Sequence, residues 1–589
     1  MSYNTIISTN QEIGKTIASE KFLNTMDGFW FAVNPHVIIN SFDFVSVDNL
    51  FDSKTIGIVK ELQSVAEGDY KNYLSDYHKI PTTKEQLRLE KKDEEEKEDD
   101  EEEKQLPLSK RQPNGVVLAK VAIMANTEIK VQGYKKNISI NFPVGIGKTV
   151  RFATEEEIIF ALGIPQMENP IPAGIIETTN GLEVPITLDV TYLAGADTAH
   201  VNASGISGNR KSSYILFLLQ SSYQTLKKMN KNVVLIIFNT KEEDLLYIDQ
   251  KEKHIKKRTE RLFDVLDLDV EPFENVTYFL PRGKDGKPNS IHIPKNYKTY
   301  SYELEDVYDR LELLFSEPYD LHHDFSSIIN YISEYWPLKS TIGKNISTWS
   351  DLIEFKEYPE AIVSKKSSLL FFLGRLQRFR KSSMFIDKKK TSTYLGNEIK
   401  KIKAGEVFVI DVATISSFEE QAFVVGDVMK SIDEMYSARY YNLKDENNYN
   451  NTNTENDKIN VQNNQKLHYI LVFIDEINRY IPKSQKGIMN SVSEQIMRTV
   501  VAGRTRGTIL FSAQQFKSAT DVRLQENTDL HITAKLGLSE LSTEPYSMLD
   551  ESTKMNIVRL NKGELVMIHS AFRHPIKIGF PKATFKKPK

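Results

Sequence analysis

The amino-acid sequence predicts an α/β protein in which a small β-barrel precedes a parallel-sheet core that carries a helical insertion. Short β-rich runs between turn residues recur up to residue 152, as in a small closed barrel. Apolar runs at 233–238, 407–412 and 470–474 have the length and composition of buried parallel strands. Residues between the first two runs have a largely helical, lysine-rich pattern. We therefore expect a barrel over 1–154, a core over 155–240 and 401–580, and an inserted helical subdomain over 241–400.

The composition is that of a large globular protein with roughly two to four domains. Hydrophobic residues make up 40% of its 589 residues, enough to bury sizeable cores. The lack of cysteine excludes a disulfide framework, thiolate catalysis and cysteine-ligated zinc. The first residues lack the basic start and apolar centre of a signal peptide, and no later run approaches a membrane span. We therefore expect a cytoplasmic protein with no membrane association.

One acidic block dominates the formal net charge of −4. Residues 90–103 hold eleven Asp or Glu and three Lys, a local charge of −8, which leaves the rest of the chain at +4. Such a block is typical of a solvated insertion, which we place at about 84–114 within the barrel. A second insertion, rich in asparagine, is expected at about 442–465. The remaining, folded part is mildly basic, which is compatible with nucleic-acid binding.

The most informative motif lies between a strand-like stretch at 199–203 and a helix-like run at 212–228. Its spacing equals that of the phosphate-binding loop G-x-x-x-x-G-K-[ST]. Glycines let backbone N–H groups face phosphate, the lysine can reach the β- and γ-phosphates, and the next hydroxyl can bind Mg²⁺. Arg210 occupies the position of the second glycine, so a glycine-containing turn that binds no nucleotide stays an alternative. The candidate ATP-binding residues are Gly205, Ser207, Gly208, Asn209, Arg210, Lys211, Ser212 and Ser213.

An acidic pair far downstream supports a nucleotide site. Asp475 and Glu476 follow an apolar run, which places both carboxylates at the carboxyl edge of a parallel sheet. There Asp475 can hold hydrated Mg²⁺ together with Ser212, and Glu476 can polarise the attacking water. Taken alone, an Asp-Glu pair after a strand is more often an ordinary exposed strand end. Only the combination with the loop favours a nucleotide site.

A third segment offers a γ-phosphate sensor and an arginine finger. The apolar run 508–513 ends at Gln514, which is our candidate sensor. Just before this run, Arg504 and Arg506 lie in a glycine-containing turn. Either arginine could reach the nucleotide of a neighbouring subunit and stabilise transition-state charge there. A solvated turn is the alternative for both.

The order of these pieces resembles that of HerA-type ATPases, members of the FtsK–HerA superfamily of hexameric DNA-pumping motors. The resemblance covers most of the chain, and it is carried by the segments 199–208, 238–244, 475–476, 502–504, 512–514 and 560–566. It implies a RecA-like P-loop ATPase core that uses ATP and Mg²⁺. It also implies catalytic roles for Lys211, Glu476, Gln514 and Arg504.

Three hypotheses of function follow. The first is a homo-hexameric, ATP-hydrolysing motor that acts on double-stranded DNA with a partner effector enzyme, in anti-phage defence. The second is an ATPase platform that assembles and regulates a nuclease or a sirtuin-like NAD hydrolase on its N-terminal barrels without translocating DNA. The third is a non-catalytic scaffold with a degenerate P-loop. The first two rest on the resemblance, and the third rests on Arg210.

Overall fold

The structure, a computed structural model, describes most of the chain in several segments. Those segments are residues 11–66, 115–129, 138–139, 141–194, 199–315, 323–363, 366–379, 381–388, 392–448, 467–484, 489–503 and 506–588. The predicted acidic insertion at about 84–114 and the candidate finger Arg504 lie outside them. Within them, no helix combines the length and the apolar character that crossing a membrane requires.

A closed antiparallel barrel of six strands forms the N-terminal part, as the sequence predicts. Phe29 and Phe31 on one strand and Val45 and Val47 on another pack together inside it, because side chains two residues apart on a strand lie on the same face. The barrel strands are β1 (Glu12–Ile17), β2 (Gly28–Val33), β3 (Phe44–Asp48), β4 (Lys54–Ala66), β5 (Gly115–Asn126) and β8 (Thr149–Phe152). Between β5 and β8 in the sequence, β6 (Glu128–Ile129) and β7 (Ile138–Ser139) form a separate two-stranded sheet.

A ten-stranded sheet forms the centre of the remaining chain. The other strands are β9 (Pro170–Glu177), β10 (Glu183–Asp189), β11 (Val201–Ser204), β12 (Val233–Asn239), β13 (Val276–Pro281), β14 (Tyr297–Tyr300), β15 (Leu338–Lys339), β16 (Asn345–Ile346), β17 (Val407–Asp411), β18 (Tyr469–Asp475), β19 (Thr508–Gln514), β20 (Leu530–Thr533), β21 (Leu565–Ile568) and β22 (Ile576–Ile578). The sheet order is β14-β13-β17-β12-β18-β19-β11-β20-β21-β22. All strands from β14 to β20 in this order run parallel. Strand β21 pairs antiparallel with β20, and β22 pairs antiparallel with β21. The carboxyl ends of the parallel strands therefore share one edge.

Helices cover both faces of this sheet. They are α1 (Glu155–Ala161), α2 (Val190–Ala194), α3 (Lys211–Lys228), α4 (Lys257–Val265), α5 (Leu304–Val307), α6 (His323–Glu334), α7 (Trp349–Glu354), α8 (Lys366–Phe379), α9 (Leu395–Lys400), α10 (Phe418–Asn448), α11 (Ser491–Gly503), α12 (Val522–Glu526), α13 (Leu538–Leu541) and α14 (Glu551–Arg559).

Strand β12 shows how the two layers form. Val233, Leu235 and Ile237 pack in the core that contains α3 and the β9–β10 hairpin. Val234 and Ile236 pack in the core that contains α6 to α11. Successive side chains point to opposite faces, so a strand that is covered on both sides has to be apolar throughout. This explains why the strand forms an uninterrupted apolar run in the sequence.

Two predicted boundaries need correction. Strands β13 and β14 lie within the predicted helical subdomain at 241–400, yet both belong to the main sheet, where β13 pairs with β17. The helical layer therefore begins only near α5. Helix α10 continues to Asn448, into the start of the predicted loop at about 442–465. The rest of that loop lies outside the described residues.

The barrel packs on helix α14 of the core through a buried lysine. Lys60 on β4 is only 5% exposed. Its ammonium group donates to Oγ1 of Thr553 at 2.9 Å and lies 3.3 Å from Oδ2 of Asp550. The side-chain amide of Asn556 donates to the carbonyl oxygen of Lys60 at 3.1 Å. A charged side chain is thus buried with partners, as its desolvation requires.

Candidate functional site

The glycine-containing loop 205–210 connects β11 to the N-terminus of α3, at the carboxyl edge of the sheet. Its backbone is fixed on both sides, because Gly205 N–H donates to the carbonyl oxygen of Gln515 at 3.2 Å and Ile206 N–H donates to that of Lys535 at 3.1 Å. Gly205 has a φ of 151°, and a Cβ there would lie 2.7 Å from Cβ of Ala534. Only glycine fits this close approach. The loop is therefore held in place by the ends of the two strands that flank β11.

Arg210 takes the backbone conformation for which glycine is ordinarily used. Its φ of 63° and ψ of 21° lie in the left-handed region. For a residue with a side chain this conformation costs about 1–2 kcal/mol. The guanidinium lies against the turn before β21. The contact is so close that a Cβ atom added to Gly563 would be 2.9 Å from Nη1 of Arg210. The loop thus completes the turn with an arginine whose side chain extends toward Gly563.

Lys211 is the first residue of α3 and is only 5% exposed. Among the described residues, it makes no hydrogen bond or ion pair. Burial lowers its pKa, and the nearby carboxylates of Asp475 and Glu476 offset this only in part. A buried ammonium group without a bonded partner is costly, so this side chain is suited to an anionic ligand.

The acidic pair lies directly beside the start of α3. Asp475 ends β18, and Glu476 follows with a left-handed φ of 51°. Ser212 Oγ donates to Oδ2 of Asp475 at 3.1 Å, and Glu476 N–H donates to Oδ1 of Asp475 at 2.9 Å. Both acidic residues are less than 10% exposed. The structure therefore brings together Lys211, Ser212, Asp475 and Glu476.

Lys241 is a further residue of the site to which the sequence analysis gave no role. Its ammonium group lies 2.9 Å from Oδ2 of Asp475 and 2.8 Å from Oε1 of Glu476. Burial opposes its charged form, but the two carboxylates outweigh burial and raise the pKa of Lys241. The segment 238–244 contributed only to the family resemblance. Its position just after β12, next to β18 in the sheet, is the signal that could have found it.

The two glutamines after β19 have different surroundings. Gln514 is fully buried, and both atoms of its amide bond to the amide of Asn202, each at 2.8 Å. Gln515 is half-buried, and its amide nitrogen lies 3.5 Å from Oε1 of Glu476. The glutamine that contacts the acidic pair is therefore Gln515 and not the predicted sensor Gln514.

Arg506 lies at the opposite edge of the sheet from this site. It precedes β19, whose seven residues span about 20 Å at roughly 3.3 Å per residue. Its guanidinium pairs with Asp433, with Nη1 2.5 Å from Oδ1. Arg506 therefore cannot reach the acidic pair of its own chain.

A cleft of ≈ 170 Å³ lies between α3, the end of β18 and the segment after β12. This volume is below the roughly 300 Å³ typical of small-molecule pockets. Lys241 and Asp475, which form an ion pair, both line the cleft. The lining residues are Ser212, Ser213, Leu216, Asn239, Thr240, Lys241, Asp244, Leu245, Phe473, Asp475, Lys587 and Pro588.

The donors in this cleft suit Mg²⁺ bound together with a phosphate-bearing substrate. Magnesium in proteins is held by one or two carboxylates plus substrate phosphates and water. Asp475 supplies a carboxylate and Ser212 a hydroxyl, at 3.1 Å from each other. Within the described residues, no group of three or more His, Cys, Asp or Glu side chains could hold a metal ion by itself. A metal here would depend on the substrate for further ligands.

No protein-family model and no curated protein sequence matches this chain. Weak similarities exist among solved structures. The bacterial conjugative coupling protein TrwBdeltaN70 in an unbound form is 12% identical over 71% of this chain and 91% of its own, with a TM-score of 0.38. The plasmid coupling protein TrwB with ADP and Mg²⁺ is 12% identical over 66% of this chain and 87% of its own, with a TM-score of 0.38.

A third similar structure is the genome packaging NTPase B204 from Sulfolobus turreted icosahedral virus 2 in complex with ATP-gammaS. It is 14% identical over 33% of this chain and 73% of its own, with a TM-score of 0.21. With TM-scores below 0.5, these similarities are too weak to assign a fold, which follows here from the strand order itself.

Proposed function

We propose that this protein is an ATPase that hydrolyses ATP with Mg²⁺ at the carboxyl edge of its parallel sheet. The observation that carries the proposal is the convergence of one buried lysine, one hydroxyl and two carboxylates at the N-terminus of α3. These groups come from sequence segments more than 260 residues apart, as the contact between Ser212 and Asp475 illustrates. An arrangement of these groups around a helix N-terminus suits phosphoryl transfer.

Each residue has a distinct task in this mechanism. The backbone N–H groups of loop 205–210 and the Lys211 ammonium group bind the phosphate oxygens and stabilise the charge that moves onto them. Ser212 and Asp475 hold Mg²⁺, which supplies further charge neutralisation when bound. Glu476 orients the attacking water and accepts its proton. Gln515, which contacts Glu476, takes the place of Gln514 as the candidate that positions the water or reads the γ-phosphate.

Lys241 has to move during this cycle. Its ammonium group contacts both carboxylates, including the Asp475 oxygen that also accepts from Ser212. Mg²⁺ held by Asp475 would take the place of Lys241 at that carboxylate, so metal binding and the ion pair between Lys241 and Asp475 compete. We infer that Lys241 neutralises the acidic pair before the nucleotide binds and then turns toward the phosphates.

We further propose that the protein works as a homo-hexameric ring that acts on double-stranded DNA. The position of Arg506 supports this, because an arginine at the far edge of the sheet can act as a finger only on a neighbouring subunit. Arg504, two residues earlier in the sequence, stays the first candidate for this role. A ring of mildly basic subunits also concentrates positive potential in its channel, where phosphate contacts can grip DNA. The family resemblance adds an effector enzyme on the barrels and a role in anti-phage defence.

The experiment that tests the proposal measures Mg²⁺-dependent ATP hydrolysis by the purified protein with and without duplex DNA. Assembly mass is recorded by light scattering in the same samples. Lys211→Ala and Glu476→Gln are the variants expected to abolish turnover. Activity that DNA raises supports the motor, whereas a ring whose hydrolysis ignores DNA supports the effector platform. No hydrolysis under any of these conditions rejects the ATPase.

Arg210 decides between an active loop and a degenerate one. If its side chain obstructed phosphate, as the scaffold hypothesis requires, Arg210→Gly would create or greatly increase ATP binding. We expect instead that Arg210→Gly changes the affinity for ATP by less than about threefold, because the arginine already has the required backbone turn. Equilibrium binding of a fluorescent ATP analogue to both proteins distinguishes the two outcomes.

A further inference from the structure

The segment 581–588, which ends beside the cleft, is firmly attached to the core. Phe585 is only 1% exposed and packs in the core with Phe273, their ring centroids 5.8 Å apart. On either side of it, Glu252 N–H donates to the carbonyl oxygen of Thr584 at 2.8 Å, and Lys586 N–H donates to that of Gln250 at 2.7 Å. This attachment fixes the position of the residues that follow.

The two lysines after Phe585 have different environments. The Lys586 ammonium group lies 4.3 Å from the ring centroid of Tyr247, a cation–π contact outside the lining of the cleft. The Lys587 ammonium group donates to Oγ of Ser213 at 3.0 Å, and Lys587 lines the cleft together with Pro588. Adjacent side chains of an extended segment point in opposite directions, so only one of this pair can face the cleft.

Lys587 therefore belongs to a group of cations around the N-terminus of α3. Lys211 is buried there, the positive charges of Arg210 and Lys582 act on Lys587, and those of Arg210 and Lys256 lower the pKa of Lys582. The Asp244 carboxylate faces Lys587 from the other wall of the cleft and partly compensates its charge. Positive groups gathered at a helix N-terminus form an anion site.

We propose that Lys587 is a nucleotide-binding residue that contacts the α-phosphate of the bound nucleotide. This inference rests on the proposed ATPase function. Lys211 and Ser212 serve the β- and γ-phosphates and the metal, so the next hydroxyl, Ser213, lies where the phosphate nearer the ribose has to pass. Lys587 already bonds that hydroxyl. The segment 581–588, which we call the strap, thus places a second lysine beside the nucleotide and is not itself part of the sheet.

The test compares Lys587→Ala with the matched control Lys586→Ala in the full-length protein. Affinities for ADP and for a non-hydrolysable ATP analogue, both with Mg²⁺, are measured by calorimetry. We expect Lys587→Ala to weaken both ligands equally, by about tenfold, because the α-phosphate is common to them and a charge-assisted hydrogen bond is lost. Lys586→Ala should stay within about twofold of the wild type, and Lys587→Arg should recover most of the affinity.

Three other results overturn the inference. The first is a nucleotide affinity of Lys587→Ala that equals that of the wild type. The second is a loss of affinity in Lys586→Ala as large as in Lys587→Ala. The third is tighter nucleotide binding by Lys587→Ala, which would make the lysine a competitor of the nucleotide. In steady-state hydrolysis the KM should rise while kcat is retained, since the residue contacts a phosphate that does not react. If the wild-type protein binds and hydrolyses ATP and Lys587→Ala behaves identically, only the proposed role of Lys587 is rejected. A wild-type protein that binds no nucleotide rejects the ATPase itself.

Discussion

The ammonium group of Lys241 lies 2.8 Å from Oε1 of Glu476, the carboxylate that we assign to the attacking water. We expect Lys241→Met to lower kcat for ATP by about tenfold or more, because preorganised charge near the reacting groups is a large part of catalysis. Steady-state hydrolysis at saturating Mg²⁺ measures this. The exposed Lys231, at the other end of β12, provides the control Lys231→Met. A kcat for Lys241→Met within twofold of that control would show that Lys241 has no part in turnover.

Gln514 and Gln515 should separate into a structural and a functional residue. Gln515→Ala removes a group that contacts Glu476, so kcat should fall by about 10- to 100-fold with little change in stability. Gln514→Ala removes the donor to the buried amide oxygen of Asn202, while the amide nitrogen keeps Ser512 Oγ, and this should cost about 1–3 kcal/mol of unfolding free energy. Denaturant unfolding and ATPase assays on both variants give the comparison. The reverse pattern would return the sensor role to Gln514.

Lys211 should stabilise the bound nucleotide but lower the stability of the protein when no nucleotide is bound. Its pKa is lowered by burial, so holding its charged form costs the folded protein stability relative to the unfolded chain. Lys211→Met keeps most of the side-chain volume and removes that cost. We expect the variant to be more stable than the wild type by about 1 kcal/mol without nucleotide, and inactive. Thermal unfolding with and without Mg²⁺ and ADP tests both parts, and a less stable variant contradicts the first.

Lys517 should make stability depend on pH above neutrality. It is only 6% exposed, lies 5.7 Å from the ring centroid of Tyr546, and burial lowers its pKa to about 8. Between pH 8 and the ordinary value of 10.5, the unfolded chain binds this proton and the folded chain does not, so stability rises with pH. Below pH 8 the charged lysine costs the fold about 3 kcal/mol.

Lys517→Met removes that dependence. The variant should be more stable than the wild type at pH 7, and the difference should shrink as the pH approaches 10.5. Chemical denaturation at several pH values measures the difference directly, and Lys231→Met controls for loss of an exposed charge. A constant difference across this range would mean that the fold does not lower the pKa of Lys517.

The contact between barrel and core depends on the pair of Lys60 and Asp550. Asp550→Asn keeps the N-cap of α14, because asparagine caps helices as well as aspartate does. It removes the charge that compensates the buried lysine. We expect a loss of about 1–2 kcal/mol, less than for a fully buried pair because Asp550 is half exposed. Lys60→Met should cost less, and adding Asp550→Asn to it should cost little more. Thermal unfolding of the three variants provides the comparison.

The parts of the fold that the sequence predicts best are those in which local composition alone decides the structure. The runs that form β12, β18 and β19 have to be apolar on both faces, and their observed bounds differ from the predicted ones by one residue at most. Strands β13 and β14 were not predicted. Val276 of β13 pairs with Val407 of β17, which lies far away in the sequence. The local pattern of a lysine-rich segment does not indicate such a pairing.

The residues of the candidate site also fall into those that the sequence predicts and those that it does not. The loop and the acidic pair carry a recognisable spacing, whereas Lys241 and Lys587 are single lysines in segments rich in lysine. Their importance arises from where the sheet and the buried Phe585 place them. Gln515 was missed for a different reason: it lies just beyond the end of the apolar run, where its contact with Glu476 depends on the path of the loop.

The order of the strands along the chain also determines when the site can form during synthesis. Val201 of β11 pairs with Phe511 on one side and with Leu530 on the other, so the loop strand leaves the ribosome about 300 residues before either neighbour exists. The barrel, by contrast, is complete in the first 152 residues and can close early. Until β19 is made, the nascent protein is thus a folded barrel followed by an apolar loop strand, β11, that has neither of its partners. Such a chain is prone to aggregation, and chaperones that shield the unpaired strand would act on it before the proposed ATP site is present.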